Sequence, residues 1–178
     1  MPAYVALLRG INVGGRHSLK MATLREVMEA CGATHVETYI QSGNVVFGHA
    51  ARSAAPLQTK LAAAITKAAG FPVPVVLRTG AELAAVIATN PFAKAPVEHL
   101  HVMFCAAQPA ASAFDKVDAA VFAPERWSIG ARELYLHLPN GMGTSKLAVT
   151  VSRLAPLKEA TARNWRTVQT LAGMIAAR

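Results

Sequence analysis

The sequence predicts an α+β protein built from two tandem ferredoxin-like halves that arose by internal duplication. Three observations support this class. Segments with strand-like and helix-like apolar spacing alternate along the chain, their order in the second half repeats that in the first, and a short polar link flanked by Pro91 and Pro96 separates them. Each half follows the βαββαβ order of the ferredoxin-like unit and adds one further helix. The predicted halves are residues 1–95 and 98–178.

The first half contains four short apolar runs typical of strands and three segments with the apolar spacing of a helix buried on one face. The predicted strands are 4–8, 36–40, 45–47 and 73–77, and the predicted helices are 21–31, 57–68 and 83–87. Residues 23–26 form a capping box, so Thr23 is expected to cap the first helix, with Ser18 as the alternative. The first strand of such a unit usually lies beside the third. The loop after the first strand should therefore lie next to the turn 42–44.

The second half repeats this order. Its predicted strands are 100–104, 127–129, 134–138 and 159–163, and its predicted helices are 110–121, 146–154 and 165–175. The segment Val76-Leu77-Arg78-Thr79 precedes the last helix of the first half, and Thr161-Ala162-Arg163-Asn164 precedes that of the second. This loose match adds to the evidence for a duplication.

The net charge of +8 is concentrated at the two ends of the chain. Residues 1–25 hold four bases and no acid, and residues 144–178 hold six bases and one acid. Such a surface favours a phosphate-bearing partner, a nucleotide or a nucleic acid, although a solvated face that aids solubility is the alternative. No stretch is apolar enough to span a membrane, no secretory signal is present, and the two cysteines lack disulfide or metal spacing. We therefore expect a cytoplasmic protein with no membrane partner.

Residues 10–17, which read GINVGGRH, nearly match the phosphate-binding P-loop. Arg16 stands in place of the motif's lysine, and His17 stands in place of its magnesium-binding hydroxyl group. The glycines favour a non-catalytic anion site, or else a structural loop in which they supply positive φ. The turn 42–44 is explained by hairpin chemistry or by contact with the same ligand. The candidate ligand-binding residues of this region are Arg9, Asn12, Gly14, Gly15, Arg16, Ser42 and Asn44.

A second candidate group, Arg163, Asn164, Trp165 and Arg166, begins the last helix. A tryptophan flanked by arginines suits a nucleobase or a phosphate. In the alternative interpretation Asn164 caps the helix and Trp165 packs in the core. The Gly-rich turn 140–146 has the same two interpretations, as an anion site or as a Ser/Thr N-cap.

Three histidines could meet in the second half. His99 and His101 are expected on one strand face, and His137 is expected on the neighbouring strand. No acidic partner is evident beside them, so we expect surface or interface histidines rather than a metal site. No nucleophile motif, carboxylate pair or reactive cysteine indicates a catalytic mechanism. Catalytic residues and cofactors are therefore left unassigned.

Four sequence blocks resemble a known family. They are residues 4–15 (YVALLRGINVGG), the pair Met21 and Leu24, residues 38–47 (TYIQSGNVVF) and residues 161–167 (TARNWRT). Together they are similar to the bacterial "domain of unknown function" family numbered 1697. The resemblance implies an α+β fold of two similar halves and implies no activity.

The leading hypothesis is that basic polar loops bind a phosphate-bearing ligand, either a nucleotide or a nucleic acid. A small-molecule enzyme with a site between the two halves is the second hypothesis. A structural or interaction module, in which the terminal motifs only cap helices, is the third.

Overall fold

A computed structural model describes all 178 residues, Met1–Arg178. It contains two four-stranded antiparallel sheets and six α-helices, which confirms the α+β class. The strands are β1 Ala3–Leu8, β2 Thr34–Tyr39, β3 Asn44–Gly48, β4 Val75–Thr79, β5 Leu100–Phe104, β6 Arg126–Ile129, β7 Glu133–His137 and β8 Thr161–Asn164. The helices are α1 Met21–Ala30, α2 Ala54–Ala69, α3 Gly80–Ala88, α4 Ala119–Phe122, α5 Lys146–Ser152 and α6 Trp165–Ala176. None of these helices combines the length and the apolar composition that a bilayer span requires.

The chain divides into two compact units. The first unit comprises Met1–Ala84 together with Thr170–Arg178, and the second comprises Ala85–Gln169. Helix α3 therefore begins in the first unit and ends in the second, whereas α6 begins in the second and ends in the first. The predicted halves, residues 1–95 and 98–178, concern the order of elements along the chain and stay a prediction.

The first unit is built on a sheet with the strand order β2-β3-β1-β4. Strand β1 lies in the middle, where Val5 pairs with Val46 of β3 and Arg78 of β4. This is the order expected from the sequence, with the first strand beside the third. On one face of the sheet, Tyr4, Ala6, Leu8, Val45, Phe47 and Leu77 pack with Leu24 and Met28 of α1 and with Leu57, Leu61 and Ile65 of α2.

Helix α1 begins differently from the prediction. Its N-cap is Lys20, which has an extended backbone and makes no side-chain capping bond, so neither Thr23 nor Ser18 caps the helix. The cause lies just upstream, where Leu19 is buried and its backbone N–H and C=O both bond to the side chain of Asn12. This attachment fixes the point from which the helix starts, and Thr23 falls within the first turn.

The second unit has the sheet order β6-β7-β5-β8. Its core includes Met103, Leu134 and Leu136 of the sheet with Leu147 and Val151 of α5. The hairpin of β6 and β7 forms as the sequence predicts, and the last strand lies at Thr161–Asn164 rather than 159–163.

The predicted helix over 110–121 is wrong. The structure has a 3-10 turn at Ala111–Phe114 and a single helical turn, α4, instead. Asp118 separates them, because its carboxylate accepts a hydrogen bond from the backbone N–H of Ala120 at 2.9 Å and so begins a new helix. Apolar spacing alone does not reveal this interruption.

Candidate functional site

The loop between β1 and α1 and the turn between β2 and β3 meet at one end of the first sheet. The backbone N–H of Leu8 donates to the carbonyl oxygen of Gly43 at 2.8 Å, so the predicted proximity of these segments is confirmed. Gly43 has φ +82°, and a Cβ there would lie only 2.6 Å from the Cβ of Leu8. Only glycine fits this approach.

Asn12 attaches the loop to its surroundings. Its amide nitrogen donates to the carbonyl oxygens of Leu19 and Gln41, both at 2.9 Å, and its amide oxygen accepts from the N–H of Leu19 at 2.9 Å. Both amide hydrogens are therefore used within the protein. Asn12 also has φ 54°, a left-handed conformation that asparagine tolerates better than most residues. The structure thus gives this side chain a structural task.

The tip of the loop is a tight turn at Gly14 and Gly15. Their φ angles are 61° and 72°, and the flanking Val13 and Arg16 form an antiparallel bridge. Positive φ at both central residues is the signature of a type I′ turn. The backbone N–H groups of the two glycines make no hydrogen bond within the protein and are exposed. They lie several residues before α1, where the helix dipole has no effect.

Arg9 lies at the base of this loop. Its backbone N–H donates to the carbonyl oxygen of Pro74 at 2.9 Å, and its side chain is half-buried. The Nη1 atom of its guanidinium group is fully buried and has no hydrogen-bond partner. A buried charged donor without an acceptor is costly, and within this loop the fold leaves the Nη1 atom of Arg9 unsatisfied.

The residues of the neighbouring turn are fixed by contacts within the turn. Asn44 is fully buried, and its amide nitrogen donates to the carbonyl oxygen of Tyr39 at 3.1 Å and to the hydroxyl oxygen of Ser42 at 3.0 Å. The fold thus brings all seven predicted residues of the first unit to one end of its sheet. Arg9 and Arg16 supply the cationic side chains among them.

The second predicted group lies in the second unit, at the junction of β8 and α6. The amide oxygen of Asn164 accepts a hydrogen bond from the N–H of Thr167 at 2.8 Å, which is an N-cap contact, and Trp165 is only 6% exposed. Arg166 is exposed. The Nη1 atom of Arg163 donates to the hydroxyl of Thr161 and the carbonyl oxygen of Ala162, each at 2.7 Å. Burial lowers the pKa of Arg163 to about 10.

The Gly-rich turn 140–146 leads into α5. Ser145 is the N-cap, and its hydroxyl oxygen accepts from the N–H of Ala148 at 2.9 Å. The N-cap interpretation therefore accounts for this hydroxyl group.

The three histidines do not meet as predicted. His101 is paired with Leu136, whereas His137 is paired with Leu100, so the two histidines point to opposite faces of the sheet. His99 belongs to a 3-10 turn ahead of β5, and its ring lies 5.8 Å from that of His137. The alternation of a strand therefore does not extend back to His99.

Sequence reasoning missed the surroundings of His137. Asn90, Phe92, Lys94 and Arg126 join it around a cavity in the second unit. The only local sequence signal is Asn90-Pro91, which marks a turn, because nothing in the sequence shows that Arg126 of β6 lies beside that turn.

A family model described as "Protein of unknown function (DUF1697)" matches residues 1–135. The chain belongs to the DUF1697 family. The match includes the Gly-rich loop and the turn 42–44, whereas the block 161–167 lies beyond it. No curated protein matches the sequence.

One solved structure similar to this DUF1697 protein is described as the conserved bacterial protein SP0830 from Streptococcus pneumoniae. The two chains superpose with a TM-score of 0.75 over 99% of each, at 23% sequence identity. This likeness shows a shared fold over the whole chain.

Proposed function

We propose that this DUF1697 protein binds a phosphate-bearing anion, a nucleotide or a nucleic acid, at the β1–α1 loop. The observation that carries the proposal is the buried Nη1 of Arg9, which has no acceptor within the protein. A phosphate oxygen would complete its hydrogen bonding through a charge-assisted contact. On the sequence grounds given above, we place this activity in the cytoplasm.

The surroundings of Arg9 support an anionic ligand. Arg16 and Lys20 are exposed on the same loop, and residues 1–25 contain no acidic side chain that would compete for them. The exposed N–H groups of Gly14 and Gly15 are further donors within the loop. Basic side chains together with open backbone donors are the usual chemistry of phosphate recognition.

Fluorescence anisotropy tests the proposal with labelled single-stranded DNA, labelled duplex DNA and a labelled nucleotide. We expect binding at low ionic strength that weakens as salt is added. Arg9→Gln should weaken it about tenfold, because a charge-assisted hydrogen bond is lost. Arg52→Gln is the matched control, since Arg52 is also a base of the first unit but is exposed beyond β3, at the other end of the sheet.

Two results would overturn the proposal: no binding of any probe at low ionic strength, or an equal loss of affinity in the two variants. Thermal melting supplies a second readout. Without an anion, Arg9→Gln should leave the melting temperature unchanged or higher, because it removes a buried charge that lacks a partner. A large decrease would instead assign Arg9 a structural role.

We also propose that the two sheets descend from one duplicated ferredoxin-like unit. Arg78 pairs with Val5, the third residue of β1, and Arg163 pairs with Val102, the third residue of β5. Each arginine donates from Nη1 to the carbonyl oxygen of the residue before it, at 2.9 Å from Arg78 and 2.7 Å from Arg163.

The residue after each arginine supports the same proposal. The side chain of Thr79 accepts from the N–H of Glu82, and that of Asn164 accepts from the N–H of Thr167. Each residue therefore caps the helix that follows it by bonding to the N–H three residues further along the chain. Superposition of the halves in a crystal structure tests the duplication. The two arginines should coincide when the four strands are aligned, and a register shift between them would contradict it.

A further inference from the structure

Two adjoining cavities in the second unit share a wall formed by Phe92, Arg126 and His137. One, of about 640 Å³, is also lined by Asn90 and Lys94. The other, of about 520 Å³, is also lined by Trp127 and the chain around Pro124. Their volumes fall in the range of sites for small organic ligands.

The end of α3 positions Asn90, a polar residue that lines the larger cavity. The hydroxyl of Tyr135 in β7 donates to the carbonyl oxygen of Val86 at 2.9 Å, which attaches the helix to the sheet. Asn90 follows directly, and its amide oxygen accepts from the N–H of Phe92 at 2.9 Å. This contact fixes the orientation of the amide. The Nδ2 of Asn90 is then a buried donor with no partner, in a residue that is 9% exposed.

The cavity wall is cationic. Arg126 and Lys94 are exposed and form no ion pair, and the guanidinium carbon of Arg126 lies 5.2 Å from the centre of the Phe92 ring. Glu125 also lines the smaller cavity, but it is buried and its carboxylate accepts from the backbone N–H of Leu147 at 3.1 Å. An incoming anion would therefore meet two unpaired bases and a carboxylate that is already engaged.

The shared wall also contains aromatic rings. The rings of Phe92 and His137 lie 5.9 Å apart and are tilted, and Trp127 lines the neighbouring cavity. The Nδ1 of His137 is buried and has no hydrogen-bond partner, so it is a second unsatisfied polar atom among the residues that line the larger cavity. Aromatic side chains favour offset or edge-to-face contacts with another aromatic ring.

We propose that these cavities form a binding site for a small organic anion that carries an aromatic ring. The anionic group, a carboxylate or a phosphate, contacts Nδ2 of Asn90 and the side chains of Arg126 and Lys94. The ring lies against Phe92 and Trp127. This site lies in the second unit, whereas Arg9 belongs to the first unit.

Isothermal titration with four probes tests the assignment: phenyl phosphate, benzoate, inorganic phosphate and benzyl alcohol. We expect phenyl phosphate or benzoate to bind at least about tenfold more tightly than inorganic phosphate or benzyl alcohol, because only they satisfy both parts of the site. The better of the two identifies the anionic group. Equal affinity for benzyl alcohol, or no binding of either aromatic anion, would overturn the proposal.

Variants locate the binding. Asn90→Asp keeps the oxygen that accepts from Phe92 but replaces the Nδ2 donor with a negative oxygen, so it should weaken binding at least about tenfold. Arg126→Gln changes an exposed residue and should weaken it similarly. Lys116→Gln is the matched control, since Lys116 is an exposed base of the second unit and lines neither cavity.

Arg9→Gln separates this proposal from the previous one. Binding of the aromatic anion should survive in that variant, and a tenfold loss there would place the ligand at the β1–α1 loop and contradict the site in the second unit. Unchanged affinity in both Asn90→Asp and Arg126→Gln would contradict it as well. If Asn90→Asp does not fold, the Arg126→Gln titration decides.

Discussion

At the scale of single residues, the polar atoms that are buried without partners carry the functional argument. They are Nη1 of Arg9, Nδ2 of Asn90, and Nδ1 of both His101 and His137. Most buried polar groups in proteins are hydrogen-bonded, so each exception calls for a physical reason. For Arg9 and Asn90 that reason is the ligand that each is proposed to meet. For His101 and His137, burial has a second consequence, since it disfavours the charged form of the ring and lowers the pKa.

We expect the folded protein to lose stability as the pH falls below about 6.5, the ordinary value for histidine. Burial lowers the pKa of His101, and burial, aided by Arg126 and His99, lowers the pKa of His137. The unfolded chain therefore takes up protons on these residues before the folded protein does, which favours unfolding on acidification.

Urea unfolding at several pH values between 8 and 5 measures this effect. The double variant His101→Asn/His137→Gln should show a shallower loss of stability than the wild-type protein. His35→Gln, a change at an exposed histidine, is the control and should keep the wild-type slope. A double variant that follows the wild-type curve would show that other groups cause the acid sensitivity.

The sequence does not predict that any of these four atoms is buried without a hydrogen-bond partner. The charge pattern places Arg9 in a basic segment, but burial of one guanidinium nitrogen depends on side chains distant in the chain. Asn90 is read from the sequence only as a turn residue before proline, because its role depends on the neighbouring strand. In contrast, the N-cap contact of Asn164 joins residues only three apart in the sequence. It is one of the two interpretations that the sequence allows for the start of the last helix.

At the scale of elements, the β1–α1 loop and the β2–β3 turn act as one attached pair. Strand pairing places them together, and the contacts of Asn12 with Gln41 and Leu19 hold them there. Their proximity was predictable because antiparallel order fixes which loops share an end. The start of α1 was not, since the capping box at Thr23 competes with an attachment at Leu19 that only the fold reveals.

Asn12→Ala tests this attachment. The change removes three hydrogen bonds and should lower the free energy of unfolding by about 1–3 kcal/mol, measured by chemical denaturation. Ser18→Ala is the control in the same loop, because Ser18 is exposed, and it should change stability by less than about 0.5 kcal/mol. If the two variants have equal stability, the loop is not held through Asn12.

At the scale of the whole molecule, each unit takes part of a helix that begins in the other. The end of α6 belongs to the first unit, where Arg178 donates to the carboxylate of Glu37 at 2.7 Å and Ile175 lies against Gly80. The sequence predicts a repeat of elements, and the repeat places the boundary between two consecutive halves of the chain. Which unit a helix end packs in depends on tertiary contacts that the repeat does not encode.

Deletion of residues 170–178 should destabilise the first unit more than the second. We expect the deletion to increase the hydrogen-exchange rates of the backbone amides in β2 and β3 more than those in β6 and β7. The reason is that the deleted segment contacts Glu37 and Val46. Arg178→Gln is the milder control. Glu37 is 63% exposed, so losing this ion pair should cost no more than about 1 kcal/mol. Unchanged exchange in β2 and β3 after the deletion would refute this assignment.

The shared helices also set an order for folding during translation. Domains usually fold as units while the ribosome extends the chain, with the N-terminal domain first. Here residues 170–178 of the first unit are synthesised only after residues 85–169 of the second unit. The first unit therefore cannot be complete when its own N-terminal segment emerges, and the second unit is the earlier one to have all of its residues available.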